Sequence, residues 1–362
     1  MNNGGGPDPK KKKHQRLLLL INALCLTLGA TGGPLISRLY FLHGGHKLWL
    51  SAFLETGGWP ILLFPLAFSK FFNKTNKKNP QSQQQEGEER THITLPLFLQ
   101  CSFIGLLTGV DDYMYAFGLS YLPVSTSALL IASQLAFTAL FALIVVRHKF
   151  TAFLTNSVVL LTLGSAFLGL GANGDRPKGL SNGRYFLGFF MTLGAAALYG
   201  LVLPLIELMY ARSRQKITYM LVLEMQLVMS VFATAFCAVG MLINKDFQHI
   251  PKEARAFDLG AVGYYATLVG SGVAWQLFFI GTVGLIFCAS SVVSGIMIAF
   301  LIPITEILAV IFYHEKFTGE KAMALIMSLW GFASYIYGER KAELKKKKRE
   351  EEISMETRVN QV

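Results

Sequence analysis

The chain has 362 residues, of which 52% are hydrophobic and only 15% are charged. A soluble domain has roughly 25% charged residues, so the composition excludes an ordinary water-soluble protein. The net charge of +11 does not indicate nucleic-acid binding, because the basic residues cluster in short segments between and beyond long apolar runs.

Ten membrane-spanning helices are predicted, since many apolar runs approach the ~20 residues that a helix needs to cross a bilayer. In chain order the predicted spans cover residues 17–41, 48–69, 94–118, 122–146, 152–171, 185–209, 218–243, 259–281, 285–312 and 321–338. Eight or nine spans are an alternative, but they would leave overlong helices. The first run is too long for a signal peptide and is expected to be retained.

Both termini are predicted to be cytoplasmic, because that orientation places most of the 33 Lys and Arg residues on the inner side. The N-terminal tail (1–16) and the C-terminal tail (340–362) are basic or charged, and residues 70–92 form a polar cytoplasmic loop. The basic tails are expected to fix topology and to contact anionic membrane lipid.

Two halves of the chain repeat each other. Residues 127–166 align with 294–333, an offset of 167 residues (294 − 127), and both copies contain "KFT". "PLISRLY" at 34–40 likewise matches "PLIELMY" at 204–210, with different polar residues. Because each half contains five spans, the second must cross the membrane in the opposite sense. The prediction is therefore an all-α membrane protein with inverted five-helix repeats at 17–171 and 172–339, as in secondary transporters.

Acidic residues fall inside the predicted spans, whereas Lys and Arg occur only at span ends. The acidic set is Glu55, Asp111, Asp112, Glu224 and Glu306. An ionisable residue at membrane depth is a functional candidate by default. A carrier of phosphates would need buried cations, so the substrate is predicted to be neutral or cationic. Glu55, Glu224 and Glu306 are the candidate proton-coupling residues, although each could instead be a neutral acid bonded to a neighbouring helix.

Polar stripes give further candidates for the substrate site. Asp112 and Tyr115 share one face of the third span, and Ser127 and Gln134 share one face of the fourth. "WQ" at 275–276 places an indole and an amide on the eighth span. An aromatic ring beside amide and carboxyl groups would suit a planar heterocycle. Helix–helix hydrogen bonding is the alternative role for these residues.

No cofactor, metal site or enzymatic activity is predicted. The four cysteines (Cys25, Cys101, Cys237 and Cys288) lie in apolar spans without metal-binding spacing. Metalloprotease, Walker and Rossmann motifs are absent from the sequence.

The sequence resembles the plant purine permeases, a branch of the drug/metabolite transporter superfamily, over residues 17–339. The phrases that carry the resemblance are "GGPLISRLYFLHGG", "LETGGWPILL", "YLPVSTSALLIASQLAFTALFA", "LPLIELMY", "SGVAWQLFFIGTVG" and "EKFTGEKAMALIMSLWGFASYIYGE". The resemblance implies a ten-helix importer of adenine, cytokinins and related N-heterocycles, usually proton-coupled. It also implies residence in the plasma membrane, with the tonoplast or endoplasmic reticulum as alternatives.

The resemblance implies substrate-facing roles for Glu224, Trp275, Gln276, Gln134, Asp112 and Tyr115, to which the stripe on the fourth span adds Ser127. A proton-independent facilitator or an exporter of alkaloid-like or vitamin-like cations is an alternative function, and a non-transporting cytokinin receptor is a third. The predicted partners are a purine-like small molecule and membrane lipid, without nucleic acid, and the oligomeric state is left open.

Overall fold

A computed structural model describes residues 9–76, 93–147, 180–314 and 316–359, together with residues 152, 153, 155–157, 159, 160, 163 and 164. Within these residues the regular secondary structure is entirely helical, with no strand. Most of the predicted loop 70–92, much of the predicted span 152–171 and the repeat boundary at 171/172 lie outside the described residues.

The described residues between 152 and 164 are helical, and twelve further helices have both ends within the described part of the chain. They are α1 (Pro9–Leu42), α2 (Leu48–Thr56), α3 (Pro60–Asn76), α4 (Leu95–Tyr121), α5 (Val124–Ala132), α6 (Gln134–Val145), α7 (Asn182–Arg212), α8 (Tyr219–Ile243), α9 (Asp246–Ala256), α10 (Gly260–Cys288), α11 (Ser291–Tyr313) and α12 (Gly319–Val359). Six segments of the described residues are long and apolar enough to cross a membrane: 15–42, 48–68, 182–212, 219–243, 260–288 and 291–313. The predicted all-helical membrane class is thereby confirmed, while the count of ten spans stays a prediction.

Two of the predicted spans are interrupted helices. The span 48–69 breaks between α2 and α3, where α3 begins at Pro60, a residue well suited to a first helical position. The span 122–146 breaks at Ser133, whose N–H donates to the Leu130 carbonyl at 3.1 Å. Its hydroxyl donates to the same carbonyl at 2.7 Å. Irregular backbone at membrane depth is tolerated where protein or a cavity covers it, and both breaks lie beside the central cavity described below.

Helices α1 and α10 approach closely along small residues. A Cβ added at Gly29 would lie 2.2 Å from the Phe278 nitrogen, and one added at Gly281 would lie 2.4 Å from the Leu26 nitrogen. Only glycine permits this backbone contact, which is typical of helix packing in lipid, where close van der Waals approach replaces hydrophobic driving force. The contact fixes α10 against α1, and both helices carry residues of the central cavity.

Gly29→Ala is expected to destabilise the folded protein by about 1–3 kcal/mol, the usual cost of overpacking a close contact. Gly32→Ala is the matched control on the same helix, since its Cβ would make an ordinary 3.7 Å contact with the Ala274 Cβ. Thermal denaturation in detergent should show a lower midpoint for the Gly29 variant alone. Equal midpoints for both variants would contradict the close packing of α1 on α10.

A short amphipathic helix, α9, joins three helix ends at the predicted external face. Its Glu253 accepts hydrogen bonds from the hydroxyls of Tyr40 and Tyr264, each at 2.8 Å, and from the His46 N–H at 2.7 Å. Lys47 forms a 3.1 Å ion pair with Asp246 at the start of α9. These contacts tie together the end of α1, the segment before α2 and the start of α10.

Arg38 and Glu207, two of the polar residues that differ between the repeated phrases, each contact the end of a neighbouring helix. In "PLISRLY", Arg38 donates from Nη1 to the Leu119 carbonyl in the last turn of α4 at 2.8 Å. In "PLIELMY", Glu207 accepts from the N–H of Ser291, the first residue of α11, at 3.0 Å, and also from its hydroxyl. A cation at a helix C-terminus and an anion at an N-terminus complement the helix dipole. The substitutions therefore match the opposite helix ends that the two phrases meet.

Candidate functional site

A central cavity lies where α1, α2, α4, α7, α10, α11 and the α5–α6 break meet. It contains about 690 Å³ of space between atoms, a figure that includes open solvent at its mouth. The described residues that line it are Ala30, Pro34, Glu55, Asp111, Asp112, Tyr115, Ile131, Gln134, Ala195, Tyr199, Trp275, Phe278, Phe279, Ile298, Leu301, Ile302 and Thr305.

One wall of the cavity is acidic. Glu55 from α2 is 1% exposed, and Asp111 and Asp112 from α4 are 6% and 4% exposed. Both oxygens of Glu55, Oδ1 of Asp111 and Oδ2 of Asp112 have no hydrogen-bond partner among the described residues. No Lys, Arg or His occurs among the described residues that line the cavity. Buried polar groups are normally hydrogen-bonded, so these oxygens require a proton, water or a ligand donor.

Aromatic residues form another part of the lining, and Trp275 is held there by several contacts. Its Nε1–H donates to the Ser37 hydroxyl at 3.0 Å, and Ser37 lies 3.4 Å from the Ser271 hydroxyl. The rings of Tyr115 and Phe278 meet the indole nearly edge-on, at 5.5 Å and interplanar angles of 79° and 80°. Because the indole N–H is engaged by Ser37, Trp275 can offer a ligand its ring but not this donor.

Glycine at position 33 permits the placement of this indole. A Cβ there would lie 2.9–3.2 Å from three atoms of the six-membered ring of Trp275. Contacts this short are tighter than side chains normally make, so Gly33 lets α1 lie directly against the ring. The ring is therefore fixed by α1 on one side and by Tyr115 and Phe278 at its edges, which leaves it little freedom to rotate.

The cavity walls follow the internal repeat. At the offset of 167 residues, Asp111 and Asp112 align with Phe278 and Phe279, and each of the four lines the cavity. Ile131 and Gln134 align with Ile298 and Leu301, and these four line it as well. The first half thus supplies the carboxyl and amide groups, and the second half supplies aromatic and aliphatic groups at the equivalent positions.

Comparison with known proteins decides the family. A family profile described as "Purine nucleobase transmembrane transport" matches residues 17–346. The chain belongs to the purine permease family. It is 48% identical over 340 residues to Purine permease 3 of Arabidopsis thaliana, covering 93% of this chain and 95% of that protein. It is 46% identical to Purine permease 2 of the same plant, covering 92% and 95% of the two chains.

This purine permease is therefore an integral membrane transporter and not an enzyme, as the sequence predicts. Its family implies a small-molecule purine substrate. A more distant relative, Probable purine permease 5 of Arabidopsis thaliana, is 37% identical over 84% of this chain and 81% of its own length.

The structure places the predicted site residues of this purine permease in three groups. Those that line the central cavity are Glu55, Asp112, Tyr115, Gln134 and Trp275. Ser127 on α5 and Gln276 on α10 are fully buried outside the described lining, and the Ser127 hydroxyl and both Gln276 amide atoms have no hydrogen-bond partner among the described residues. Glu224 on α8 is half-buried and is not among the described lining residues either. Glu306 lies on α11, but its side chain is outside the described part. The assigned roles stay predictions.

Several lining residues of this purine permease were not singled out as site residues from the sequence: Asp111, Tyr199, Phe278, Phe279 and Thr305. Asp111 was noted only as a membrane-depth acid. Phe278 and Phe279 could have been found by projecting Asp111 and Asp112 through the repeat offset. Thr305 aligns with Thr138 in the repeat. Tyr199 is the one tyrosine in the small-residue stretch "GAAALYG", which gives only a weak signal.

Proposed function

We propose that this purine permease imports purine-like N-heterocycles such as adenine and cytokinins, coupled to protons, by alternating access around the central cavity. The proposal includes ten membrane spans in two inverted repeats, 17–171 and 172–339, with both termini in the cytoplasm. It places the protein in the plasma membrane. Secondary transporters of this construction bind substrate near the bilayer midplane between their repeats.

The observation that carries the proposal is a single cavity lined by both buried carboxyl groups and aromatic rings. A planar base can stack on aromatic rings such as Trp275, at ~0.5–1.5 kcal/mol beyond the burial of its area. Its edge nitrogens can then hydrogen-bond to the unpartnered oxygens of Glu55, Asp111 and Asp112. The absence of a basic side chain among the described lining residues favours a neutral or cationic ligand over an anion.

The repeat offset supports the inverted arrangement. Aligned residues of the two halves, such as Ile131 with Ile298 and Gln134 with Leu301, line the same cavity. Pro34 and Pro204, which match in the two phrases, both lie inside their helices. An inverted pair of bundles brings equivalent positions to one central site from opposite directions.

Proton coupling is proposed to use the buried carboxyls. Glu55 lies close enough to Asp111 and Asp112 for the three groups to interact electrostatically. Like charges buried close together oppose one another's ionisation, so we infer that the cluster holds a proton that can be exchanged when the cavity opens. Proton and substrate must both favour the same conformational change for their fluxes to be linked.

The test is uptake of labelled adenine into proteoliposomes with and without an inward proton gradient. We expect the initial rate to rise as the external pH falls and a protonophore to abolish accumulation. Protein inserted in the opposite orientation exposes its C-terminal tail on the outside of the vesicle. Protease added outside removes the tail from these molecules alone, and the cleaved fraction measures how many there are. No exchange of labelled adenine under any gradient would contradict transport of purines and favour a membrane receptor.

The three carboxyls also support a second candidate, a facilitator or exporter of alkaloid-like or vitamin-like cations. In that case the acidic wall would bind the positive charge of the substrate directly. Exchange would then show a flat dependence on the proton gradient, and an organic cation would compete with adenine at lower concentration than unlabelled adenine itself.

A further inference from the structure

A second, smaller cavity lies beside the central one and has a different chemical character. It contains about 330 Å³ of space between atoms, open solvent included, and in this conformation it has room for about one water molecule, so a base enters only after the cavity widens. The described residues that line it are Thr56, Thr108, Tyr199, Val202, Ile206, Gln226, Met229, Ser230, Phe279, Thr282 and Val283. Five of them carry a neutral hydroxyl or amide besides the tyrosine, and none of these described lining residues is charged.

Two aromatic residues, Tyr199 and Phe279, line both cavities. Their ring centroids are 6.5 Å apart with an interplanar angle of 69°, and Tyr199 also lies 5.7 Å from Phe278. On α2, Glu55 lines the central cavity, whereas the next residue, Thr56, lines the second. The two cavities are therefore neighbours that share the Tyr199–Phe279 pair as a partition.

The second cavity is displaced toward the end of the bundle where α7 ends and α8 begins. On α7 its residues Val202 and Ile206 follow Tyr199 by about one and two turns. On α10, Thr282 follows Phe279 by about one turn toward the helix end at Cys288. On α8, Gln226 is about two turns from the first residue. The basic segment 212–216 follows α7 at this end, which the charge distribution assigns to the cytoplasm.

Polar groups in this cavity are arranged for a hydrogen-bonding occupant. Gln226 and Ser230 are each 3% exposed, and the Gln226 amide nitrogen donates to the Ser230 hydroxyl at 2.9 Å. That contact leaves the amide oxygen of Gln226 and the hydroxyl hydrogen of Ser230 for a ligand or water. The buried hydroxyls and amide of this lining therefore offer hydrogen bonds to a neutral polar occupant.

We propose that the second cavity is a binding position for the neutral form of the transported base on its way to the cytoplasm. This inference rests on the proposed function. The base would leave the acidic wall of the central cavity, pass between Tyr199 and Phe279, and be held by Gln226 and Ser230 before release. The uncharged lining suits a neutral heterocycle and offers nothing to retain a cation.

For the base to pass from the central cavity to the second one, Tyr199 and Phe279 must move apart. Pro204 in α7 permits such a movement. Pro204 lies between Val202 and Ile206, within the helix. Proline cannot donate the backbone hydrogen bond to the Gly200 carbonyl, so α7 is weakened beside the second cavity. Bending there would move Tyr199 relative to Phe279 while α10 stays packed on α1.

The test compares Ser230→Phe, which fills the second cavity, with Val231→Phe at the adjacent position. Val231 is 38% exposed on the outer surface of the bundle and serves as the matched control. We expect Ser230→Phe to slow adenine uptake by about tenfold or more, a barrier increase of about 1.4 kcal/mol. Equilibrium binding of adenine to the purified variant should stay within about twofold of the parent protein, because the central cavity is unchanged.

A second variant keeps the proposal falsifiable if Ser230→Phe does not fold. Gln226→Met removes the amide while keeping a side chain of similar length, and it should also slow uptake by about tenfold with unchanged binding. The remaining uptake should keep the pH dependence of the parent protein, because the carboxyls lie in the central cavity.

The outcomes separate this inference from the proposed function. If the parent protein does not exchange adenine, the proposed function fails. If the parent protein and Val231→Phe exchange adenine, and Gln226→Met does so at the same rate, only the second binding position is overturned. Weakened equilibrium binding in Gln226→Met would overturn it as well, since the residue would then belong to the central site.

Discussion

Glu55→Gln is expected to abolish the uphill accumulation of adenine that a proton gradient drives, while exchange of adenine across the membrane continues. The substitution keeps the size of the side chain and one acceptor oxygen, replaces the other oxygen by an NH₂ donor, and removes the titratable group. A gradient of one pH unit corresponds to about 1.4 kcal/mol, which supports about tenfold accumulation in a one-proton symport. In the variant the accumulation ratio should fall to about one at every gradient.

The measurement is the steady-state ratio of internal to external adenine in proteoliposomes, with counterflow of labelled adenine as the separate assay of exchange. Asp111→Asn and Asp112→Asn test whether the neighbouring carboxyls share the proton. Glu224→Gln and Glu306→Gln test the other two residues that the sequence assigns to coupling. Full pH-dependent accumulation by Glu55→Gln would exclude Glu55 as the proton site. If only Glu224→Gln loses pH-dependent accumulation, the proton site lies on α8.

Much of the helical architecture could be predicted because lipid imposes a simple rule. Each spanning segment must satisfy its own backbone hydrogen bonds, so span length and apolar character mark the helices. The short connection between α4 and α5, at Leu122 and Pro123, lies close to the predicted gap between the third and fourth spans. The predicted gap at 282–284 is wrong, because α10 continues to Cys288 and is joined to α11 by Ala289 and Ser290. Helix α9 was missed because it does not cross the membrane and its sequence, "DFQHIPKEARA", is charged.

The breaks at Gly57–Trp59 and at Ser133 were not predicted, because average hydropathy does not register them. At the first break a Cβ on Gly58 would lie 2.3 Å from the Gly272 carbonyl oxygen, a packing requirement set by a helix distant in sequence. At the second, the decisive contacts are local, but Ser133 lies in the predominantly apolar stretch "SALLIASQLAFTALF", which carries no helix-breaking Pro or Gly.

For the site, residue chemistry was more informative than residue orientation. Asp112, Tyr115, Gln134 and Trp275 were predicted from their polarity or aromatic character at membrane depth, and they meet in one cavity. Glu224 and Gln226 are about 200° apart on an ideal helix, so they cannot face one direction. The structure turns Gln226 toward the second cavity. Such a choice depends on the rotation of α8 against its neighbours, which periodicity alone leaves undetermined.

Trp275→Ala is expected to weaken adenine binding by about 1–3 kcal/mol, roughly 5- to 150-fold in Kd, through lost stacking and lost burial of apolar area. The effect should be large because the indole is fixed by Ser37, Gly33, Tyr115 and Phe278 and is not reoriented when a ligand binds. Equilibrium titration of purified protein with adenine gives Kd directly, independent of the transport rate.

Two further variants separate stacking from general disruption of the fold. Trp275→Phe keeps an aromatic face but removes the donor to Ser37, so its Kd should fall between those of the parent protein and Trp275→Ala. Trp330→Ala removes an indole that is 67% exposed on the outside of α12, and it should bind adenine like the parent protein. An unchanged Kd in Trp275→Ala, or an equal loss in Trp330→Ala, would remove the aromatic part of the lining from the binding site. The base would then have to be held by the carboxyls and Gln134 alone, and the preference for planar heterocycles would need another origin.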